Sequence, residues 1–513
     1  MARLGGLSIA IAAFVVSLAL APWEFPTGAD GAAMLATADS LFERHTLAID
    51  ARFTTDARYT PSAKRGIDGE AYAKYGIGLP ILEVPFLGIA RAVHRISGFS
   101  QSRARVAVLS LINPLLTALV VLILQLTCER LGASRLAAGF VALGYVLTTP
   151  ALSYATYDNS EALQAFVVAL AVWTLVVFEQ DGRDRALWIC GVALACGALT
   201  KTTLVVLAPA FALAAWFACC SNGSNRIAAV GRTAKLVVPF IVAVGVVGWL
   251  NLVRFGSVTA TGYNTPVLTN SLGNGLYGLL LSPNKGLVVY APLVLLAPLG
   301  IARLCRRSTA TAIVIVLGTA TWTVLNAVFF DWGGGWVWGP RYLQPMLPLV
   351  FLAVSSAAER PGVRGLMGVL CAAGLLVNLL GVIVDEGAYR RTLVNVWLGD
   401  RTGYATVGDA TSGEIITVPR STEDVVAAFS SIAGHWWLAR VALVPCDCSG
   451  LSLNCACRTG DFATNPVFLS PPWRTQFPQA LPSPPYGASI IWPRLLREAY
   501  RTVVFDPDRP PIR

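Results

Sequence analysis

The chain has 513 residues, of which 55% are hydrophobic and only 13% charged, and a formal charge of +10. Soluble domains carry roughly 25% charged residues, so this chain lacks the polar surface that water would require, and lipid has to cover much of its outside. Its basic residues sit in short loops between apolar runs, the pattern of topology signals rather than of a nucleic-acid surface, which excludes nucleic acid as the partner.

The first apolar run covers residues 5–21 and follows Arg3. Ala19-Leu20-Ala21 imitates a signal-peptidase site, but Pro22 would stand directly after the cut, so an uncleaved first transmembrane helix is expected. Further apolar segments lie at 76–93, 104–127, 136–153, 162–178, 186–200, 202–219, 236–253, 286–302, 309–330, 342–358 and 365–384. Most approach the ~20 residues that cross a bilayer core.

Loop charge orients them. From residue 128 onward, one set of alternate loops holds Arg130, Arg135, Arg183, Arg185, Arg226, Arg232, Lys235, Arg303, Arg306, Arg307, Arg360 and Arg364. The other set holds only Lys201, Arg254, Lys285 and Arg341. The arginine-rich set is expected inside, which puts loops 154–160, 254–285 and 331–341 and the tail from 385 outside. With Arg3 inside and loop 22–75 outside, segment 76–93 cannot cross once and keep the parity. It carries Gly76, Gly78, Pro80, Glu83 and Pro85, poor components of a lipid-facing helix, and reads as a juxtamembrane or re-entrant helix. A crossing missed elsewhere is the alternative.

Two units follow: a transmembrane core over 1–384 and a small outer-face C-terminal domain over 385–513 with a proline-rich arm at 465–485. Of the eleven cysteines, Cys128, Cys190, Cys196, Cys219, Cys220, Cys305 and Cys371 lie in or beside apolar helices as small hydrophobes. Cys446, Cys448, Cys455 and Cys457 cluster in the tail. An external tail favours disulfides over zinc, and the C-x-C spacing is not the C-x-x-C of a zinc knuckle.

Polar groups beside a membrane are the functional candidates, because burying them is costly. The first outer loop begins Pro26-Thr27-Gly28-Ala29-Asp30-Gly31, continues through an amphipathic stretch at 34–42, and closes on Glu70-Ala71-Tyr72-Ala73-Lys74-Tyr75-Gly76-Ile77-Gly78. An aspartate just after the first helix, an amphipathic helix, then Tyr-x-Lys before a Gly/Pro-rich apolar helix is similar to the GT-C membrane glycosyltransferases. These include the protein O-mannosyltransferases and the lipid A aminoarabinose transferases. Residues 254–263, 276–287 and Trp332-Gly333-Gly334-Gly335-Trp336-Val337-Trp338-Gly339-Pro340-Arg341-Tyr342 resemble loops of bacterial relatives.

The resemblance implies an all-α polytopic fold with a GT-C-like helical core. It also implies transfer of a sugar from a polyprenyl-phosphate carrier to an acceptor, not identified by the sequence, at the outer face of a bacterial plasma membrane. Asp30 would be the base that deprotonates the acceptor hydroxyl. Lys74 and Arg341 would be the leading phosphate contacts and Lys285 a third, because the leaving phosphate needs cations rather than a proton donor. Tyr72 and Asp158 complete the candidate substrate-binding residues. No cofactor is called for: many relatives carry paired acids where this chain has Asp30-Gly31, so a divalent metal is compatible with the resemblance but unsupported here. Many also have Lys-Pro-Pro where this chain has Lys74-Tyr75-Gly76.

Plainer readings stand beside these. Asp30 has the residue type of a helix N-cap. Lys74 has the length to snorkel to the interface. Asp158-Asn159-Ser160-Glu161 fits a capping box, and the Trp332–Trp338 stretch fits an interfacial aromatic belt. Arg341 after Pro340 suits a helix anchor, and Lys201, between two helices, ranks below the others. The same cations would also serve a transporter or flippase of lipid-linked sugars, or a non-catalytic assembly protein; no inverted repeat of the transporter kind is visible.

Overall fold

The computed structural model describes residues 2–21, 28–54, 62–263 and 268–383, with 386, 405–408, 415–418, 431–432 and 434–436 of the tail. The four tail cysteines lie outside the described residues. Apolar runs of helical length dominate the chain, and helices result. They are α1 (Ala2–Leu20), α2 (Ala29–Arg44), α3 (Gly78–Ser97), α4 (Gln101–Leu109), α5 (Ile112–Arg130), α6 (Arg135–Leu147) and α7 (Ala151–Tyr154). Then come α8 (Glu161–Asp181), α9 (Asp184–Thr200), α10 (Ala208–Ser221), α11 (Arg226–Phe255), α12 (Leu272–Leu281) and α13 (Leu287–Tyr290). The last are α14 (Ala297–Arg307), α15 (Thr309–Ile313), α16 (Thr319–Ala327), α17 (Leu347–Ala358) and α18 (Arg364–Ile383). Among the described residues six stretches are long and apolar enough to cross a membrane, the longest being Gln101–Arg130 and Arg226–Phe255. The chain is an all-α, polytopic integral membrane protein, as the sequence leads one to expect.

Two sets of helix ends gather separately. At one end Arg130 pairs with Asp181 at 3.1 Å, Arg307 donates to Leu131 O at 2.8 Å, and Glu359 accepts from Ser134 N at 2.9 Å. Arg232 and Lys235 both hold Asp184 there. These are the arginine-rich loops. At the other end the first long loop packs on the remaining turns: Ile67 N donates to Arg254 O at 2.9 Å, and Arg341 reaches Asp30. Helix α3 lies along α2, tied by Arg91–Glu43, while Arg105 of α4 pairs with Asp39 at 2.8 Å.

Between α2 and α3 the chain forms a small antiparallel sheet, ordered β1 (Ala48–Ile49), β3 (Ala71–Ala73), β2 (Ala63–Arg65), with Tyr72 opposite both Ala48 and Lys64. Ala71 and Ala73 face a small apolar cluster with Ala33 and Ile49, which seats the sheet on α2. Several apolar segments are broken by 3-10 turns: Thr202–Leu207 before α10, Pro292–Leu296 before α14 and Arg341–Met346 before α17. In the tail, β4 (Ala405–Gly408) pairs antiparallel with β5 (Ile415–Val418). His435 stacks on Trp338 with ring centroids 4.4 Å apart and pairs with Glu386 at 2.8 Å.

Candidate active site

Asp30 sits in the first turn of α2. The N-cap is Gly28, without a side-chain cap hydrogen bond, so capping does not account for the aspartate. Its carboxylate turns instead toward Arg341, with Nη1 2.8 Å from Oδ2, and accepts a hydrogen bond from the Tyr75 hydroxyl at Oδ1. Arg341 begins the 3-10 turn before α17, and its Nε donates to Glu161 Oε1 at 2.5 Å. One guanidinium therefore clamps carboxylates from α2 and α8. The Arg341 and Glu161 side chains are 13% and 1% exposed, so the clamp works in a water-poor place.

Burial alone would raise the Asp30 pKa. Arg341 and Lys74, with hydrogen bonds from Tyr75 and Arg341, outweigh it and hold the carboxyl below its ordinary range. Lys74 follows β3 and lies over the Tyr75 and Tyr263 rings, 5.4 and 5.1 Å from their centroids. Burial pushes its pKa down, and Asp30 and Asp331 only partly restore it.

The turn carrying Lys74 and Tyr75 is fixed by close contact with the end of α9. A Cβ on Gly76 would stand 2.3 Å from Leu199 O, and one on Gly78 2.1 Å from Thr200 Oγ1. Only glycine allows this approach. Gly31 performs the same service for Asp158: a Cβ there would lie 2.1 Å from the Asp158 carboxyl. Asp158 is thus pressed against α2 one residue from Asp30. It also lines a narrow pocket with Glu83 and Asn113.

The structure thus brings Asp30, Lys74, Arg341 and Asp158 to one locality. Other expected residues have partners of their own. Lys285 is fully buried, and its Nζ donates to Gly335 O at 3.0 Å and Val337 O at 2.6 Å. Its ammonium holds the glycine loop ahead of Arg341. Tyr72 gives its hydroxyl to Asp68 at 2.5 Å and packs edge-on against Phe255. It serves the seating of the sheet on α11 and not the cluster around Asp30. Trp332 and Trp338 are 2% and 0% exposed, so they are no interfacial belt. Trp338 packs on Tyr290 and donates to Asn378 Oδ1 at 3.3 Å. The capping-box reading of 158–161 also gives way, because the N-cap of α8 is Ser160, without a side-chain cap hydrogen bond, and Glu161 faces Arg341.

Glu161 and Tyr75 join this candidate cluster through Arg341 and Asp30, and sequence reasoning passed them over. The available signal for Glu161 was a carboxylate heading an apolar helix; among the described residues its buried Oε2 has no hydrogen-bond partner. Among the described residues, no group of three or more His, Cys, Asp or Glu side chains is arranged to hold a metal ion.

A family model of dolichyl-phosphate-mannose-protein mannosyltransferases matches residues 86–249. Among curated proteins none matches. Among solved structures, ArnT from Cupriavidus metallidurans bound to undecaprenyl phosphate is similar at 13% identity and a TM-score of 0.45, covering 85% of this chain and 69% of that one. Its apo state gives 14%, 0.46, 85% and 68%. The Archaeoglobus fulgidus oligosaccharyltransferase in complex with zinc and sulfate gives 16%, 0.43, 84% and 61%. The family match, running from α3 into α11, bears out the chain's resemblance to the GT-C superfamily of polytopic membrane glycosyltransferases.

Proposed function

We propose that the protein transfers a sugar from a polyprenyl-phosphate carrier to an acceptor at the outer face of a bacterial plasma membrane. The observation that carries this reading is the clamp of Arg341 on Asp30 and Glu161, with Lys74 beside it, at the end of the helix bundle away from the arginine-rich loops. That separation supports an outer-face site. The contacts of α3 with α2 support an interfacial α3 rather than a crossing. The tail from 385 would belong to the same face.

In this reading a sugar–phosphate bond breaks as the acceptor oxygen attacks the anomeric carbon from the opposite side, which inverts it. Asp30 takes the acceptor proton, and the bond electrons leave with the phosphate. Lys74 and Arg341 bind that phosphate as its charge grows. A phosphate on Arg341 competes with Asp30 for the guanidinium, which frees the carboxylate and raises its basicity when the donor is in place. The apolar helices hold the lipid chain.

The test uses the purified full chain in proteoliposomes with polyprenyl-phosphate sugars. Transfer to an acceptor, with inversion shown by product stereochemistry, is expected. Movement of the intact lipid-linked sugar across the bilayer without transfer would make the protein a flippase instead.

A further inference from the structure

Lys201 lies where α9 ends and the 3-10 turn Thr202–Leu207 begins, with extended backbone at φ −146° and ψ 111°. The break sets a half-buried lysine between two apolar segments. A residue this costly needs a reason. The turn Tyr75-Gly76-Ile77-Gly78 packs on Leu199 and Thr200 immediately before it, so Lys201 and Lys74 flank one contact.

The surroundings of Lys201 are charged and aromatic. Glu161 of α8, Arg341 ahead of α17 and Asp30 of α2 act on it electrostatically. Its Nζ stands 4.2 Å from the Tyr342 ring centroid and 5.9 Å from that of Trp322 on α16. Among the described residues its ammonium donates no hydrogen bond and pairs with no carboxylate. Arg341, by contrast, is held by two carboxylates. Burial, against the opposing pull of Glu161, lowers the Lys201 pKa to about 8. A half-enclosed ammonium without an acceptor is the cost a protein bears for a site that an anion will complete.

We propose that Lys201 is a phosphate-binding residue of this site: held over Tyr342 beside Arg341, Asp30 and Glu161 with its donors unassigned, its ammonium takes anionic oxygens of the lipid carrier's phosphate. The inference rests on the reading that the site binds a lipid phosphate. It adds a cation from the break after α9 to those from the first loop and from the start of the Arg341–Met346 turn, so that the phosphate is gripped from three places.

Undecaprenyl phosphate binding to the full chain in nanodiscs tests it, between pH 7 and 9.5, where the phosphate itself stays ionised. Parent affinity should fall through pH 8, approaching tenfold per pH unit above it as Lys201 loses its proton. Lys201→Arg should keep the affinity and flatten that limb, because a guanidinium does not titrate there. Lys201→Met should bind at least about tenfold more weakly, with the pH dependence gone. A parent profile flat through pH 8, or a Lys201→Arg profile that still falls there, overturns the assignment even if Lys201→Met does not fold. So does parental affinity in a folded Lys201→Met. A parent that binds no lipid phosphate at any pH overturns the proposed function as well, and the two failures are thereby distinguished.

Discussion

Replacing Asp30 by Asn keeps the shape of the side chain and its acceptor oxygen but removes the charge. In the structure that carboxylate receives Arg341 at 2.8 Å and the Tyr75 hydroxyl. Hydrogen bonds to charged groups contribute ~1.5–3 kcal/mol and neutral ones ~0.5–1.5, so demoting two of them costs about 2–3 kcal/mol at most. The Asp30 side chain is 28% exposed, and Arg341 keeps Glu161, which brings the expected loss nearer ~1 kcal/mol once solvent screening is allowed for. Loss of a general base costs about 100-fold or more in rate, which is ~2.7 kcal/mol of transition-state stabilisation. Transfer should therefore collapse while the apparent melting temperature falls only slightly and lipid-phosphate binding persists. Because the Asp30 pKa lies below its ordinary 3.8, the carboxylate stays ionised down to lower pH. The parent kcat/KM should then show no acid limb from Asp30 at neutral or mildly acidic pH. The assay is sugar transfer by purified parent and Asp30→Asn protein, with kcat/KM followed across pH. A normal rate for Asp30→Asn would refute the base assignment. An acid limb near pH 6 that vanishes in the variant would refute the claim that the Arg341 pair governs its pKa.

Two other substitutions separate position from contact. Gly31→Ala places a methyl group 2.1 Å from the Asp158 carboxyl; overpacking of this kind costs ~1–3 kcal/mol, and α2 should shift enough to cut transfer at least tenfold, read in parallel by melting and activity. Lys285→Met leaves the Gly335 and Val337 carbonyls without their donor, at ~1–3 kcal/mol each, so stability and kcat should fall together; a raised KM for the lipid donor with unchanged melting would return Lys285 to the phosphate.

The helices were legible because lipid demands runs of ~20 apolar residues, and loop charge alone separates the two ends of the bundle. Short or broken elements were not. Helix α12 is ten residues inside a long loop, and the 3-10 turns at Pro292 and Arg341 interrupt segments that read as continuous. Side-chain fate was harder still. Trp332 and Trp338 look interfacial from composition, but Trp338 is covered by α18 and tail residues far along the chain. Lys285 looks like any outer-loop cation until two carbonyls some fifty residues later claim it. Glu161 looks like a cap until Arg341 arrives from a distance of 180 residues in sequence. Hydropathy reports which groups leave water; it does not report which partners receive them.

The two departures from the family pattern show how such partners are exchanged. Gly31 stands where many relatives carry a second acid, and its missing side chain is what lets the Asp158 carboxyl occupy that space from the loop before α8. A carboxylate is lost in sequence and returned in space. Tyr75 stands where relatives have proline after the lysine, and its hydroxyl binds Asp30, while Gly76 brings the same turn within van der Waals reach of Leu199 O. Proline there would have stiffened the turn through its ring. Here a hydrogen bond to Asp30 and contact with the end of α9 do the fixing. The loop bearing Lys74 is thereby tied to Asp30 on one side and, on the other, to the end of α9 just before Lys201. Tyr75→Phe would cut the first tie and leave the second, so the positions of Asp30 and Lys201 are linked through one short turn rather than set independently.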